Sequence, residues 1–262
     1  MPQDAVTDYL HSLFSLTGRL ALVTGGSSGI GKGMARGLAG AGARVIVLAR
    51  QPGPLDQTVA EFRAVGAQAE RISADLADPE AIDRAAAEIL EAFGAPDILV
   101  NSAGINLRPP LSQVSTQDWD QTMAVNLAAP FRLAQHFGPL MAERGWGRII
   151  NVLSQQSYRA FGNSGAYGAS KGGLLSLTRS QAEEWSSRGV CCNAVVPGFV
   201  PSAMTAAVAS DPVRSAALAA RTMIGRNGLP EDFEGATVFL ASNACAYLTG
   251  QAVFVDGGFS AS

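Results

Sequence analysis

Short runs of β-branched and aliphatic residues recur along the chain, and segments with helical periodicity separate them. The runs are almost continuously apolar, without polar residues in alternation, which is typical of strands covered on both faces. Strands that alternate with helices predict an α/β fold with a parallel sheet and right-handed crossover connections. The predicted strands are Leu20–Thr24, Arg44–Ala49, Ala69–Ser73, Ile98–Asn101, Arg148–Leu153, Val190–Val196 and Ala252–Val255.

The helical segments carry their own boundary signals. In Pro79–Phe93, Asp78 precedes the proline as a plausible N-cap and Gly94 follows as a stop. One side of this helix is apolar, with Ile82, Ala85, Ala86, Ile89, Leu90 and Phe93. A glycine-rich loop after the first strand opens a second predicted helix, Ile30–Ala41. Since ligands of such sheets bind beyond the carboxyl ends of the strands, this loop is a candidate binding site.

The composition of the 262 residues favours one globular domain. The chain is 47% hydrophobic and 16% charged, and no linker or low-complexity tract divides it. Its net charge is −3 without an extended basic block, which argues against a nucleic-acid partner. Asp4 and Asp8 stand where a signal peptide needs positive charge, and no apolar run approaches the ~18 residues of a membrane span. We therefore expect a soluble, cytoplasmic protein without a membrane partner.

The cysteines and histidines give no sign of a metal site. Cys191, Cys192 and Cys245 lack metal-ligand spacing, and we interpret them as small core residues. His11 and His136 are isolated from each other and from any acidic cluster. We predict that the protein holds no metal.

The loop TGGSSGIGKG, residues 24–33, is built for close approach of backbone N–H groups to a phosphate. Gly26, Gly31 and Lys32 almost make a nucleoside-triphosphate loop, but Gly33 stands where that loop needs a Ser or Thr hydroxyl for Mg²⁺. Glycines at 25, 29 and 31 make a variant of the dinucleotide loop, although the strict G-x-G-x-x-G pattern is absent. The loop alone leaves both nucleotide classes open.

A second site is predicted from Ser154, Tyr167 and Lys171. Tyr167 and Lys171 are four residues apart, so on a helix they share one face, and Ser154 ends the fifth predicted strand. These three groups suit proton transfer to a carbonyl oxygen, with Lys171 expected to lower the pKa of the phenol. The stretch GASKG, 168–172, also fits a serine-hydrolase elbow, but no strand directly precedes it and no histidine follows it.

Seven ordered motifs together resemble the short-chain dehydrogenase/reductase family, from about Phe14 to the C-terminus. They are Thr24–Gly31 for the family's T-G-x-x-x-G-x-G, Asn101–Gly104 for N-N-A-G with Ser102 as a departure, Asn126, Ser154, Tyr167 with Lys171, Pro197-Gly198 with Ser202, and the closing strand VFVDGG at 253–258. The resemblance identifies the phosphate as the pyrophosphate of a nicotinamide dinucleotide.

The resemblance implies a single-domain, Rossmann-like, doubly wound seven-stranded parallel sheet, and a homotetramer. It implies that Tyr167 exchanges the proton, Ser154 hydrogen-bonds the substrate oxygen, Lys171 lowers the pKa of Tyr167 and holds the ribose, and Asn126 positions a water. It further implies cofactor contacts from Gly25, Ser27, Ser28, Gly29, Ile30, Gly31, Arg50, Asp75, Leu76, Asn101, Ala103, Gly104, Tyr167, Lys171, Pro197, Gly198, Val200 and Ser202. Residues 1–15 are then an N-terminal extension, and residues 16–262 are the dinucleotide-binding catalytic domain.

The second strand predicts NADP(H) as cofactor, with NAD(H) as the alternative. An NAD site places Asp or Glu about 20 residues beyond the glycine loop to hold the ribose 2′-hydroxyl. Here Ala49 and Arg50 stand at that point, and Arg50 suits a 2′-phosphate. Ser27 and Ser28 offer hydroxyls nearby, although relatives that use NADP often have a basic residue at the position of Ser28.

The substrate is predicted to be a small carbonyl compound or alcohol. Residues 203–225 resemble the family's mobile substrate lid. The stretches 104–126 and 150–162 resemble the gluconate 5-dehydrogenase branch, in which Gln155, Arg108 and Arg159 would serve hydroxyl and carboxylate groups of a sugar acid. A 3-oxoacyl thioester or a hydrophobic ketone would use the same catalytic residues. A dinucleotide-binding sensor without catalysis is the alternative from another functional class.

Overall fold

The computed structural model describes residues 3–261 as one α/β unit. Its sheet has seven parallel strands in the order β3-β2-β1-β4-β5-β6-β7. The strands are β1 Leu20–Thr24, β2 Arg44–Ala49, β3 Ala69–Ser73, β4 Ile98–Asn101, β5 Gly147–Val152, β6 Val190–Pro197 and β7 Ala252–Val255. The predicted doubly wound fold is confirmed, and the strand order reverses between β1 and β4, where such sheets bind ligands.

Ten α-helices are present in the described part of the chain. They are α1 Gln3–Phe14, α2 Gly29–Gly40, α3 Pro52–Ala64, α4 Pro79–Phe93, α5 Thr116–Met123, α6 Ala129–Glu143, α7 Gly165–Trp185, α8 Ala206–Ala209, α9 Pro212–Ala220 and α10 Glu234–Ala241. A π-helical turn, Ala124–Ala128, joins α5 to α6, and a 3-10 turn, Gln155–Ser157, follows β5.

The helices cover both faces of the sheet, which explains the continuous apolar strands. Successive residues of β1 point into different layers, with Val23 packing in the cluster that contains Met34 of α2 and Leu22 in the cluster that contains Phe137 of α6. Cys191, Cys192 and Cys245 are buried free thiols, as the core interpretation predicts.

Local signals are also confirmed, with small shifts in boundaries. The Asp78 carboxylate accepts the Glu80 N–H at 2.9 Å, and Gly94 ends α4 with φ +85°. The second predicted helix begins at Gly29 and ends at Gly40, one residue before the predicted bounds at each end. Strand β5 ends at Val152 and not at Leu153, so Ser154 does not end the strand but is the N-cap of the following 3-10 turn.

Candidate active site

The glycine loop is folded so tightly that Gly25 and Gly31 leave no room for a side chain. A Cβ on Gly31 would lie 2.4 Å from the Gly25 carbonyl oxygen, and a Cβ on Gly25 would lie 2.9 Å from the backbone of Ala103. Gly25 and Gly29 also adopt positive φ, at 67° and 52°. Ser28 stands at the N-cap of α2 without a side-chain cap. The first turn of α2 therefore presents backbone N–H groups, which suits the pyrophosphate of a dinucleotide.

A cavity of about 250 Å³, here called the glycine-loop cavity, opens beside this loop. Fourteen residues predicted as cofactor contacts or catalytic groups line it: Gly25, Ser28, Gly29, Ile30, Gly31, Ala103, Gly104, Ser154, Tyr167, Lys171, Pro197, Gly198, Val200 and Ser202. They come from the carboxyl ends of several strands, because parallel strands end at one edge. The walls combine flexible-backbone glycines with hydroxyl and amino groups, so this cavity fits a nicotinamide dinucleotide.

Two further predicted contacts, Arg50 and Asp75, lie together in a separate cavity of about 530 Å³ at the ends of β2 and β3. The Asp75 carboxylate accepts the Ala77 N–H at 2.9 Å, so it also has the turn role of an aspartate after a strand. The Arg50 guanidinium belongs to none of the ion pairs between described residues. That arrangement leaves a cation at the position predicted for a 2′-phosphate.

The remaining predicted cofactor contacts line neither of these two cavities. Ser27 has its carbonyl oxygen 3.4 Å from the Thr58 hydroxyl, and Leu76 is buried. Asn101 is also buried, and its side-chain N–H donates to the Asn151 amide oxygen at 2.8 Å. The Asn101 Oδ1 atom is buried without a hydrogen-bond partner. These residues support the strand ends and do not form the cavity walls.

Helix α7 places Tyr167 and Lys171 on one face, as their spacing predicts. The Lys171 ammonium donates to the Val152 carbonyl at 2.6 Å and lies 5.8 Å from the centre of the Tyr167 ring. Val152 is the last residue of β5, so this hydrogen bond fixes α7 against the strand that leads to Ser154. Burial lowers the pKa of Lys171 to about 8.

Asn126 lies fully buried in the π-helical turn, which was not predicted. Its amide exchanges two hydrogen bonds with the backbone of Ile105, at 2.8 and 2.9 Å, and donates a third to the Ser170 hydroxyl at 3.1 Å. The Ser170 hydroxyl in turn donates to the Tyr167 carbonyl at 2.8 Å. Asn126 therefore links the β4–α5 loop to the helix that carries the tyrosine and the lysine.

Burial raises the pKa of Tyr167, whereas the Ser154 hydroxyl and, to a smaller extent, the Arg108 guanidinium act to lower it. The Lys171 ammonium is directed to the Val152 carbonyl, and the expectation that Lys171 lowers the pKa of Tyr167 stays a prediction. A raised pKa keeps Tyr167 protonated at neutral pH. The phenol is therefore in the form that donates a proton.

A larger cavity of about 540 Å³, here called the substrate cavity, meets the glycine-loop cavity. Ser154, Tyr167, Pro197, Gly198 and Met204 line both. The tyrosine and serine hydroxyls thus stand where a cofactor in one cavity would face a substrate in the other. The structure therefore brings the predicted proton-transfer groups to the junction between the two spaces.

Three arginines, Arg108, Arg214 and Arg221, line the substrate cavity, and no carboxylate side chain does. Arg108 holds φ at +58°, an unfavourable backbone conformation for an arginine. Gln155 also lines the cavity and donates to the Asp256 carboxylate at 3.2 Å. The prediction that Arg159 faces the substrate is wrong, because it is absent from the cavity wall and its guanidinium donates to the Ser260 carbonyl.

Some walls of the substrate cavity were missed by sequence reasoning. Ala217 and Leu218 of α9 lie within the predicted lid, but Phe259 of the C-terminal segment was not predicted. The polar loop residues Asn106 and Asn163 also line it. No local spacing connects these segments, although the positive φ of Asn163 belongs to a residue type that tolerates this conformation.

Within residues 3–261, the described part of the chain, no helix is both long and apolar enough to cross a membrane. Nor do three His, Cys, Asp or Glu side chains meet there in a way that would hold a metal ion.

The chain was next compared with known proteins. A family model described as enoyl-(acyl carrier protein) reductase matches residues 25–260. Gluconate 5-dehydrogenase of Gluconobacter oxydans is 40% identical over 250 residues, which cover 95% of this chain and 98% of that protein.

Solved structures give the same result. A gluconate 5-dehydrogenase from Burkholderia cenocepacia, in complex with NADP and tartrate, superposes with a TM-score of 0.92 at 38% identity and covers 97% of this chain and 99% of its own. A 3-oxoacyl (acyl-carrier-protein) reductase from Agrobacterium tumefaciens with NADP bound has a TM-score of 0.89 at 36% identity, covering 95% and 96%. The protein is an oxidoreductase that uses NADP(H) to interconvert a ketone and a secondary alcohol. The chain belongs to the short-chain dehydrogenase/reductase family.

Proposed function

We propose that the protein oxidises a sugar acid, or reduces its keto form, at a carbon remote from the carboxylate. The observation that carries this proposal is the substrate cavity with Arg108, Arg214 and Arg221 in its walls and no carboxylate. Guanidinium groups without acidic partners favour an anionic ligand, and their planar forks suit a carboxylate. The similarity to gluconate 5-dehydrogenase supports the same substrate class.

In the proposed mechanism, the Tyr167 hydroxyl donates its proton to the substrate carbonyl oxygen during reduction and accepts it back during oxidation. Ser154 hydrogen-bonds the same oxygen and fixes its position between the two cavities. NADP(H) supplies or accepts the hydride when it is bound. Because burial raises the pKa of Tyr167, the protonated phenol is available at neutral pH. Asn126, through Ser170 and Ile105, holds the backbone that positions this pair.

The cofactor contacts are part of the proposal. The glycine loop and the first turn of α2 would hold the pyrophosphate, and Arg50 would bind the 2′-phosphate of the adenosine ribose. Lys171 would bind the nicotinamide ribose from its place in the wall of the glycine-loop cavity. Residues 203–225 would act as a lid, since their short helices line the substrate cavity from one side.

The decisive assay compares NADPH consumption with 5-ketogluconate, an acetoacetyl thioester and cyclohexanone. We expect the highest kcat/KM with 5-ketogluconate. The second candidate, a 3-oxoacyl reductase, is favoured by the similar 3-oxoacyl (acyl-carrier-protein) reductase structure and by apolar wall residues such as Phe161, Phe199 and Leu218. Activity confined to the thioester would establish that alternative, and binding of NADPH without turnover on any ketone would support a sensor.

We also propose a homotetramer in the cytoplasm. Apolar side chains are exposed on and beside the edge strand β7, including Phe254, Met223 and Ile224, and such a patch suits a subunit interface. The three free thiols suit a reducing compartment. Sedimentation is expected to give four times the chain mass, and a 27.1 kDa species would contradict the assembly.

A further inference from the structure

The structure contains a preorganised cation in the wall of the substrate cavity. The Arg221 guanidinium lies over the Phe259 ring, with its central carbon 4.1 Å from the ring centre. A guanidinium stacked on an aromatic ring keeps its N–H donors in its own plane, so its edge remains able to bind a planar anion through two parallel hydrogen bonds.

The Phe259 platform is fixed by its neighbours. The ring is only 3% exposed, and its backbone N–H donates to the Asp256 carbonyl at 3.2 Å. The Asp256 carboxylate accepts the N–H groups of Gly258 and Ser260 at 3.0 and 2.9 Å. The same carboxylate accepts Gln155, the residue after Ser154, at 3.2 Å. The platform is therefore tied to the catalytic segment.

Arg221 differs in its partners from a nearby arginine. Arg226, five residues further on, makes hydrogen bonds of 2.6 and 2.7 Å to the two oxygens of Asp232. No ion pair between described residues includes Arg221 or Arg214. Arg214, Ala217, Leu218 and Arg221 follow the i, i+3, i+4, i+7 pattern and all line the cavity. The face that α9 turns to the cavity therefore has a cation at each end.

Arg108 occupies a different wall. It comes from the loop after β4 and is close enough to Tyr167 for its charge to act to lower the pKa of the phenol. In a sugar acid that reacts several bonds away from its carboxylate, the carboxylate cannot lie beside Tyr167. It must reach another wall of the cavity, and the cation that is already oriented there is Arg221.

We propose that Arg221, held on the Phe259 ring, is the site for the anionic group of the substrate, and that it selects acids whose anionic group is remote from the reacting carbon. This inference rests on the proposed sugar-acid activity. It assigns a recognition role to the C-terminal segment, whose ring orients the arginine. Binding of the anion would also stabilise the closed position of the lid, because the anion would join α9 to the rest of the site.

The test compares Arg221→Gln, Arg221→Lys, Phe259→Leu and the double variant Arg221→Gln/Phe259→Leu with the wild-type enzyme. Arg188→Gln, an exposed arginine paired with Glu184 at the end of α7, is the matched control. The substrates are 5-ketogluconate and 2-ketogluconate with saturating NADPH, and the KM for NADPH and the melting temperature are measured for each variant.

For 5-ketogluconate, we expect Arg221→Gln to lower kcat/KM about 10- to 100-fold, mostly through KM. Arg221→Lys should recover part of the loss, because it keeps the charge but not the fork. Phe259→Leu should cost several-fold in wild type and almost nothing in the Arg221→Gln background. The wild-type enzyme should prefer 5-ketogluconate to 2-ketogluconate, and Arg221→Gln should reduce that preference.

Two outcomes overturn the inference and are distinguishable from each other. If the wild-type enzyme reduces 5-ketogluconate but Arg221→Gln stays within two-fold of it, the anion binds elsewhere and the sugar-acid activity stands. If the wild-type enzyme reduces neither acid while it reduces the thioester or cyclohexanone, the proposed function fails and the anion site fails with it. If Phe259→Leu lowers kcat/KM equally in the wild-type and the Arg221→Gln backgrounds, Phe259 does not act by orienting Arg221.

Discussion

The glycine-loop cavity and the substrate cavity meet at Tyr167, but they are built from different kinds of structure. The first is formed at the ends of buried strands and by a loop in which a single added carbon would collide with the backbone. The second is formed by exposed short helices, by loops and by the C-terminal segment. The comparison indicates that the groups for cofactor binding and proton transfer stand at the edge of the sheet, whereas many walls proposed to contact the substrate come from exposed helices, loops and the C-terminal turn.

The sharpest test of this division is Tyr167→Phe. We expect kcat to fall about 10²- to 10⁴-fold, because the variant lacks the proton that the phenol exchanges with the substrate oxygen. The affinity for NADPH, measured by fluorescence titration, should change little, since the ring remains in the cavity wall. Tyr158→Phe is the control, because the Tyr158 ring lies 5.2 Å from the Phe254 ring at a tilt of 45° and lines neither cavity. A Tyr167→Phe variant with more than about a tenth of wild-type kcat would refute the assignment.

The strands and the lining of the glycine-loop cavity were predicted well from the sequence. Strands were placed to within one residue because continuous apolar runs are local signals, and the ends of helix α4 were placed from Asp78 and Gly94, which are local signals too. Fourteen predicted residues line the glycine-loop cavity; close backbone approach explains the glycines of the loop, whereas most of the other contacts were implied by the family resemblance. The π-helical turn at Asn126 has no such signal, since it depends on hydrogen bonds to Ile105 and Ser170.

The walls of the substrate cavity were predicted less well, because they depend on loop conformation. Nothing in a sequence tells which way an exposed loop side chain points, so Arg159 was placed in the site although it binds the Ser260 carbonyl. Phe259 was missed because it reaches the cavity only through the turn that the Asp256 carboxylate holds. Lys171 was correctly placed on the face of Tyr167, but its hydrogen bond to the Val152 carbonyl was not predicted, because spacing does not reveal it.

The buried ammonium of Lys171, in the wall of the glycine-loop cavity, predicts how the stability of the protein depends on pH. The chain has two lysines, and burial lowers the pKa of Lys171 from 10.5 to about 8. Between pH 8 and 10.5 the unfolded chain then binds more protons than the folded protein, so this group makes the folded protein more stable as pH rises. Below pH 8 the lysine is protonated in both states, and the cost of burying its charge is about 3 kcal/mol.

Urea unfolding without cofactor at pH 7.5, 8.5 and 9.5 measures this contribution as a difference between wild type and Lys171→Met. We expect the variant to be relatively more stable at pH 7.5 and to lose roughly half of that advantage by pH 9.5. Lys32→Met is the control, because Lys32 is partly exposed and paired with Glu61 at 2.6 Å. A difference between wild type and Lys171→Met that is independent of pH would show that the ammonium is not destabilised by burial.

Arg50 tests whether the end of β2 belongs to the cofactor side. We expect Arg50→Ala to lower kcat/KM for NADPH about 10- to 100-fold, since a hydrogen bond to a charged group contributes roughly 1.5–3 kcal/mol. The value for NADH, which lacks the 2′-phosphate, should remain within about two-fold. Arg71→Ala, on the neighbouring strand and paired with Asp56, should leave both values unchanged. Equal losses of kcat/KM with NADPH and NADH would mean that Arg50 supports the strand end and does not bind the 2′-phosphate.

The smallest expected effect concerns how the lid is attached. The Asn227 amide donates to the carbonyl and to the hydroxyl of Ser215 in α9, at 3.1 and 2.9 Å, so it joins the lid helix to the segment after it. Asn227→Ala removes both hydrogen bonds, each contributing about 1 kcal/mol.

We expect KM for the substrate to rise about 3- to 10-fold in Asn227→Ala and limited proteolysis within residues 203–225 to become faster. The melting temperature should barely change, because local opening does not require global unfolding. Gln57→Ala, which removes an exposed hydrogen bond to Glu61 on α3, should leave KM and proteolysis unchanged. If Asn227→Ala instead lowers the melting temperature as much as a core substitution does, the lid is an integral part of the folded unit and the contrast between the two cavities does not hold.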